Sequence, residues 1–406
     1  MPPKNLICIV IDRLHAGMIG AYGNSWIGTE HLDHLAAESF LFDQAFIDSP
    51  DLANLYRSYW LGDLATRQSE PASGMSFLRL LHEAGIASTL LTDERAVSDN
   101  ALARDFDNQI FLEPPNEDHI AAEVPETQIG RLFGTATEWL QSASEPFCLW
   151  IHARGMGGAW DAPLELRNRF AEEEDPEPPD FASVPDCWLS DKYDPDELLG
   201  MTHAYAGQVA LLDLCVGALL DQFENSDLKA TTQMTFLSAR GFPLGEHSRV
   251  GACDEALYNE LVQVPWLMRF PDGCGRLARS QALVLPADLP GTLLEGLGLD
   301  RQKLGSGGAV SLLGIIEGER LVNRDRISMI SGHDRALRTP AWMLRKPIAG
   351  AAELYAKTGD RWEVNEVARL CPDVTTGLQA AFTQAEQAGS TDSLPPLANE
   401  LVTEME

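Results

Sequence analysis

An unbroken apolar run, rich in isoleucine and valine, occupies residues 6–11 near the start of the chain. Such a run is typical of a strand that is buried on both faces, as the central strands of parallel sheets are. Asp12 and Arg13 end the run. In open α/β sheets, binding and catalytic groups collect at the carboxyl edge of the strands, so Asp12 is a candidate ligand or base. A plain turn residue that bonds to its own backbone is the alternative, and this stretch alone favours that alternative.

Strand-like and helix-like patterns alternate along the rest of the chain. Apolar runs predict strands at residues 40–47, 86–92, 147–152, 233–238 and 326–330. Helical spacing predicts a short helix capped by Thr29, a loop that runs into a helix over 49–62, and helices at 75–84, 126–143, 196–224 and 290–297. This alternation predicts an α/β fold built on a large, mostly parallel sheet.

The composition and the pattern of predicted elements change at two places in the sequence. Residues 172–186 are acidic and proline-rich, which predicts an exposed loop. Beyond about residue 334 short strands and turns follow, with one helix near 373–388. We therefore expect a main domain over 1–333, a small C-terminal α+β subdomain over 334–388, and an acidic tail over 389–406.

Net charge, apolar runs and cysteine spacing limit the classes of partner and the cellular compartment that we expect. The chain has 30 basic and 61 acidic residues, a formal charge of −31, which disfavours nucleic acids and anionic membranes but leaves room for a local site that binds a small anion. No basic leader with a cleavage site precedes the first strand, and no apolar run reaches transmembrane length. Seven cysteines without CxxC spacing are typical of a reducing compartment. These features predict a cytoplasmic protein.

Several stretches resemble the sulfatase family of the alkaline phosphatase superfamily. They include NLICIVIDRL, AYGNSWIGTEHLDHLAAESFLFDQAF, PFCLWIH, FLSARGFPLGEHS, YNELVQVPWLMRFP and ELYAKTGDRWEVNEVA. The matching stretches follow the family's order and span almost the whole chain. The resemblance implies a large mixed, mostly parallel sheet between helices and a small C-terminal subdomain with an antiparallel sheet.

The resemblance also implies a mechanism. Such enzymes hold one divalent cation, usually calcium, with acidic and amide side chains. A formylglycine hydrate, made from the first residue of a Cys/Ser-x-Pro/Ala-x-Arg motif, attacks the sulfate ester. A dianionic centre needs a cation, basic side chains and an activated oxygen, so this set of groups is chemically sensible.

The metal ligands of that family are mostly replaced in this chain. Its first strand ends in two aspartates, where this chain has Asp12 and Arg13. After the later strand the family has aspartate followed by histidine or asparagine, where this chain has Ala239 and Arg240. Arginine brings positive charge to the place of a dication, and it cannot deprotonate to become a ligand. We therefore expect no metal, with Asp12 as the one remaining ligand.

The nucleophile is also replaced. Counting back from the glycine at 62 places the modified residue at Leu52 and its downstream arginine at Tyr56. A shift of one residue places Arg57 at the arginine position and Ala53 at the nucleophile position. Neither alignment provides a nucleophilic side chain.

Two further catalytic positions differ from the family. The expected active-site histidine corresponds to Gly157, and a lysine expected after the GEH segment corresponds to Ala252. His152 and His247 remain as pocket residues. The losses predict a sulfatase-fold protein without family catalysis, which acts by binding, scaffolding or regulation. A hydrolase with a rebuilt, metal-independent site and a structural subunit that pairs with itself or an active homologue are the alternatives.

The pocket residues that remain suggest what replaces the metal. Arg13 and Arg240 should project from adjacent strand ends, so we expect one or both to pair with Asp12. Surface arginines that point to solvent are the alternative. A further hypothesis is that Arg13, Arg240 and Arg57 bind a small oxyanion such as sulfate or phosphate.

Overall fold

The first unit of the chain is built around the strand that the apolar run predicts. The computed structural model describes residues 3–66, 74–114, 119–252, 254, 256–304, 310–322, 324–387 and 394–403. These divide into two units that are both discontinuous in sequence. The first is Met1–Leu41, Leu81–Cys253 and Pro265–Arg279, and the second is Phe42–Leu80, Asp254–Val264 and Ser280–Glu406. Of the predicted tail, residues 389–393 and 404–406 lie outside the described residues.

Helices and strands alternate through most of the described chain. The helices are α1 Glu30–Ala37, α2 Leu52–Leu61, α3 Phe77–Glu83, α4 Arg95–Ser98, α5 Gln128–Gln141, α6 Leu164–Asn168, α7 Pro195–Glu224, α8 Asn259–Val262, α9 Asp288–Gly296, α10 Leu313–Ile316 and α11 Pro372–Gln387. The strands are β1 Asn5–Ile11, β2 Phe40–Ala45, β3 Ala87–Thr92, β4 Asn108–Phe111, β5 Phe147–Ala153, β6 Cys187–Trp188, β7 Thr232–Ser238, β8 Arg249–Val250, β9 Trp266–Arg269, β10 Ala278–Val284, β11 Ile327–Ile330, β12 Asp334–Arg338, β13 Trp342–Pro347 and β14 Glu353–Ala356.

The main sheet of the first unit has the strand order β2-β9-β7-β1-β5-β3-β4. Strand β1 pairs in parallel with β5 on one side and β7 on the other, and β3 pairs in parallel with β5 and β4. The pairings of β7 with β9 and of β2 with β9 are antiparallel. Every residue of β1 is buried, because both faces of a central strand are covered. The predicted fold class, a mixed and mostly parallel α/β sheet, is confirmed.

Helix α7 is the longest helix of the first unit and packs against α1, α5 and α6. The sequence predicts no apolar run of transmembrane length, but α7 has the length and composition to cross a membrane. However, 89% of its most apolar window is buried inside the protein. The helix is apolar nearly all round because it packs in the core of this unit.

The cap predicted for α1 differs from the one that the structure shows. Thr29 occupies the N-cap position, but its side-chain oxygen accepts a hydrogen bond from the backbone N–H of Gly20 at 2.9 Å. The first-turn N–H groups of α1 donate instead to the carboxylate of Asp213 on α7, at 2.9 Å from Leu32 and 3.3 Å from His31. A carboxylate from another element does the work that a local cap normally does.

The second unit contains an antiparallel sheet with the strand order β11-β12-β13-β14, which helix α11 packs against. Its core includes Leu337 and Leu344 from the sheet and Leu378 and Phe382 from the helix. The small C-terminal antiparallel sheet that the resemblance implied is therefore present. Strands β4 and β10 were not predicted, because their sequences mix polar and apolar residues without a clean alternation.

Candidate functional site

Asp12 lies directly after β1, with its backbone N–H bonded to the carbonyl of Ala153 at 2.9 Å. Arg240 holds both oxygens of its carboxylate: Nε donates to Oδ1 at 2.9 Å, and Nη2 donates to Oδ2. The side chains are only 4% and 12% exposed. A guanidinium group that bonds a carboxylate at both oxygens forms a strong, directional pair. The predicted pairing of Asp12 with an arginine is confirmed for Arg240.

The pairing of neighbouring strands brings these two residues together. Ile11 and Ser238 are register partners on β1 and β7, so the residues that follow each strand emerge side by side. The hydroxyl oxygen of Ser238 lies 2.7 Å from the carbonyl oxygen of Ile11 and 2.7 Å from that of Arg240, so the two carbonyl oxygens share its one proton. It also accepts a hydrogen bond from the N–H of Leu14 at 3.1 Å. One buried serine thus fixes both strand ends that carry the ion pair.

The charge of Asp12 is maintained by its arginines. Burial by itself raises the pKa of the Asp12 carboxyl, but the charge and hydrogen bonds of Arg240, followed by the charge of Arg13, outweigh burial. The net result is a pKa below the ordinary aspartate value. The carboxylate is therefore ionised at neutral pH, although it is buried.

Arg13 is buried at 4% exposure and has a left-handed backbone, with φ of 64°. Such a conformation is uncommon for a residue with a Cβ and needs support from its surroundings. Tyr205 on α7 supplies that support: its hydroxyl donates to the carbonyl of Arg13 at 2.7 Å and accepts from the N–H of His15 at 2.8 Å. Burial raises the pKa of Tyr205 far above its ordinary value, so the hydroxyl keeps the proton it donates.

Gly157 lies against the ion pair, at the end of a short turn, Gly155–Gly157, that follows β5. A Cβ placed on Gly157 would be 3.1 Å from Cγ of Arg13 and 3.5 Å from Oδ2 of Asp12. Position 157, where the resemblance expects a catalytic histidine, therefore faces the site as the sequence analysis assumed. The side chain of Arg13 occupies the space into which a residue at 157 would project.

His152 is fully buried on β5, beside β1. Burial, opposed by the charge of Asp12 and aided by the charges of Arg240 and Arg154, lowers the pKa of His152 to about 4. The imidazole is therefore neutral at neutral pH. A histidine that is neutral and fully buried is poorly suited to accept a proton from a substrate that enters from solvent.

A buried polar network, which was not predicted from the sequence, lies beside the site. Asp93 accepts a hydrogen bond from the N–H of Arg154 at 2.8 Å and another from the side chain of Gln128 at 2.6 Å. The N–H of Gln128 donates in turn to Asp161 at 2.6 Å. Asp93 directly follows β3 as Asp12 follows β1, and that placement was the available signal. The network fixes the start of the turn that contains Gly157.

Replacement of Asp93 by asparagine should change how stability depends on pH. Burial raises the pKa of Asp93 to about 6 in the folded state, against hydrogen bonds that lower it. As pH falls from 7 to 5, the folded state takes up this proton before the unfolded state does, so wild type gains stability that the variant lacks. The stability difference between wild type and Asp93→Asn should shift in favour of wild type by about 1 kcal/mol over this range. Urea unfolding at several pH values measures it.

The exposed Asp191→Asn variant is the matched control for that series, since it also removes one carboxylate. Its stability difference from wild type should stay constant over the same pH range. Parallel curves for wild type and Asp93→Asn would contradict the raised pKa of Asp93.

The donor groups at this site do not fit a divalent cation. Arg240 engages both oxygens of Asp12, Arg13 adds a second positive charge, and Ala239 offers only a methyl group. Calcium needs six to eight oxygen ligands. Within the part of the chain that the structure describes, no group of three histidine, cysteine or acidic side chains is arranged to hold a metal ion.

The predicted nucleophile positions belong to the second unit. Leu52 and Ala53 form the first turn of α2, which Asp51 caps by accepting from the N–H of Asn54 at 2.9 Å. Tyr56 is fully buried on this helix. Arg57, proposed as an oxyanion ligand, donates instead to Asp63 at 2.7 Å, with its side chain 40% exposed.

The remaining predicted residues lie on either side of β8. His247 is half-buried with a left-handed backbone, φ of 49°. Ala252 is exposed, and its carbonyl accepts a hydrogen bond from Arg249 at 2.9 Å. The residue at 252 therefore contributes a backbone oxygen to a structural contact, and its methyl side chain cannot replace the lysine that the resemblance expects.

Comparison with known proteins decides the family. The sulfatase family model matches residues 4–299, which is most of the chain. The chain belongs to the sulfatase family. No curated protein matches it.

Solved structures share the fold of this sulfatase-family chain at low sequence identity. A protein solved in complex with its substrate D-glucosamine-2-N,6-O-disulfate is 15% identical, with a TM-score of 0.76 over 97% of this chain and 99% of that chain. The phosphonate monoester hydrolase of Agrobacterium radiobacter is also 15% identical, with a TM-score of 0.76 over 95% and 96%. A 2-O glycosaminoglycan sulfatase is 16% identical, with a TM-score of 0.73 over 95% and 92%. The sulfatase-like fold predicted from the sequence is confirmed.

Proposed function

We propose that this chain is a non-catalytic member of the sulfatase family, which acts by binding a ligand or partner and hydrolyses no sulfate ester. The observation that carries the proposal is the contact of Arg240 with both oxygens of Asp12. A guanidinium group takes the place that a dication holds in the family, and it has no vacant orbital that could accept a lone pair from a sulfate oxygen. It therefore cannot polarise a sulfate oxygen as a Lewis acid does.

The side chains at the nucleophile positions support the same conclusion. Leu52 and Ala53 have neither oxygen nor sulfur, so neither can be converted into a formylglycine or attack an ester. Gly157 and Ala252 provide no group for proton transfer. His152, which remains, is neutral and fully buried.

The ligand we propose for the site around Asp12 is a small oxyanion such as sulfate or phosphate. Arg13 and Arg240 place two guanidinium groups at the end of β1 and β7, and planar guanidinium donors match the oxygens of such anions. The formal charge of −31 supplies no long-range attraction, so binding depends on these local groups.

Turnover and binding are measured on the same preparation. The substrates are 4-nitrophenyl sulfate, 4-nitrophenyl phosphate and an aryl phosphonate monoester. We expect each to be hydrolysed no faster with the protein than in buffer alone, with or without added calcium. An active sulfatase assayed in parallel is the positive control. Sulfate or phosphate should raise the Tm, whereas chloride at equal ionic strength should not, because only the oxyanions match the arginine geometry.

Two outcomes would contradict the proposal. Hydrolysis that scales with protein concentration and disappears in Asp12→Asn would assign a rebuilt hydrolase site to this chain. An unchanged Tm with both sulfate and phosphate would show that a small oxyanion is not the ligand. The turnover assay would still test the proposed lack of hydrolysis separately.

A further inference from the structure

A groove in the second unit lies between helix α11 and the antiparallel sheet. Its sheet side is formed by β12 and β13, and its helix side includes Gln379, Phe382 and Thr383. Leu337, Leu344 and Phe382 form an apolar floor, and all three are buried. The groove has a cavity volume of about 180 Å³. This is smaller than a typical site for a drug-sized ligand, so the groove has room only for a small molecule.

Two cations face each other at the mouth of this groove. Arg335 on β12 and Lys346 on β13 are direct register partners, as are Leu337 and Leu344 two residues further along each strand. Side chains two apart on a strand share a face, so the cations stand on the same face as the apolar floor. Like charges directly opposite each other destabilise an antiparallel pair unless an anion lies near them.

One carboxylate partly balances this pair. Glu386 on α11 accepts a hydrogen bond from Nε of Arg335 at 3.3 Å, and both side chains remain partly exposed. Two positive groups thus line the groove against one negative group, in a chain whose formal charge is −31. This local excess of positive charge runs against the composition of the whole molecule.

Arg335 is already held in position. Its Nη1 donates to the carbonyl of Ser331 at 2.7 Å and to the carbonyl of Asp334 at 2.9 Å. A guanidinium group fixed in this way loses little further freedom when it binds an anion. Lys346 is exposed and supplies a flexible ammonium group opposite it.

We propose that this groove binds a small organic acid. The carboxylate of the acid lies between Arg335 and Lys346, and a short aliphatic or aromatic body fills the cavity against Leu337, Leu344 and Phe382. The bound anion relieves the repulsion between the two cations, and the body of the acid leaves water for an apolar cavity. None of the residues around Asp12 lines this groove, and the proposal does not depend on the function proposed above.

Isothermal titration calorimetry with hexanoate and 4-phenylbutyrate tests the proposal on the full chain. We expect one site with a Kd of about 1 mM, given the small size of these acids. Hexanamide, which keeps the body and loses the charge, and acetate, which keeps the charge and loses the body, should each bind at least about tenfold more weakly.

Two variants locate the site. Lys346→Gln should weaken hexanoate binding about tenfold, because one charge-assisted contact is lost. Thr383→Trp, an exposed position on α11, should block the groove without altering its charges. Lys192→Gln removes one exposed lysine in the first unit and should leave binding unchanged. Circular dichroism confirms that each variant is folded.

Three results would overturn the proposal. Equal affinity for hexanamide and hexanoate would show that charge is not recognised. Full binding by Thr383→Trp would place the acid elsewhere on the chain. No heat with either acid, together with binding of a glutamate-rich peptide that Thr383→Trp abolishes, would assign the groove to acidic protein segments.

Discussion

Replacement of Asp12 by asparagine is expected to lower the free energy of unfolding by about 3 kcal/mol, because the variant leaves a buried arginine charge without its anion. Arg240 is 12% exposed and contacts both oxygens of Asp12, so little solvent is available to replace the lost carboxylate. Urea unfolding followed by circular dichroism measures the change. The exposed Asp191→Asn variant should differ from wild type by less than about 0.5 kcal/mol.

A double-mutant cycle separates the ion pair from other effects of the substitution. Arg240→Gln alone should also destabilise, because it leaves the Asp12 carboxylate buried without its partner. The variant that carries both substitutions should lose less stability than the sum of the two single variants. Additive losses would show that Asp12 and Arg240 are not energetically coupled. The contact between them would then no longer support the proposed function.

The second large effect is expected at Gly155, which begins the turn after β5. Its φ is 54°, and a Cβ at this position would lie 2.5 Å from the carbonyl oxygen of Asp12 and 2.7 Å from Cγ2 of Ile11. Gly155→Ala therefore adds both backbone strain and a steric clash with the strand end that carries Asp12. We expect a loss of about 3 kcal/mol, measured by urea unfolding.

Gly134→Ala is the matched control for this substitution. Gly134 lies inside α5, where nothing is within 4 Å of the position of an added Cβ. The same chemical change there should stabilise the protein by about 1 kcal/mol, because alanine has the higher helix propensity. A similar response at both positions would contradict the close approach of Gly155 to Asp12.

The central strand and the pairing at its end could be predicted from the sequence because both follow from strong local requirements. The six consecutive buried positions at residues 6–11 need apolar side chains, and a buried carboxylate needs a cation. The sequence offered arginines at the ends of adjacent strands. It could not specify that Arg240 contacts both oxygens of Asp12, since that geometry depends on the backbone that follows β1 and β7.

Other features depend on contacts between residues far apart in the chain. The network of Asp93, Gln128 and Arg154 joins three elements, and no spacing within any one of them marks it. Strand β4 begins with the exposed polar residues Asn108 and Gln109, so its pairing with β3 determines its structure more than its composition does. Arg57 pairs with Asp63, six residues further along the chain, and the resemblance to the sulfatase family does not predict this contact.

The contact between α1 and Asp213 has a consequence for synthesis of the chain. The first helix borrows its N-terminal acceptor from a residue about 180 positions later. Until residue 213 has been synthesised, the N–H groups of His31 and Leu32 lack this acceptor, and closing so long a loop is entropically costly. We infer that the amino-terminal segment reaches its final form only after α7 has left the ribosome.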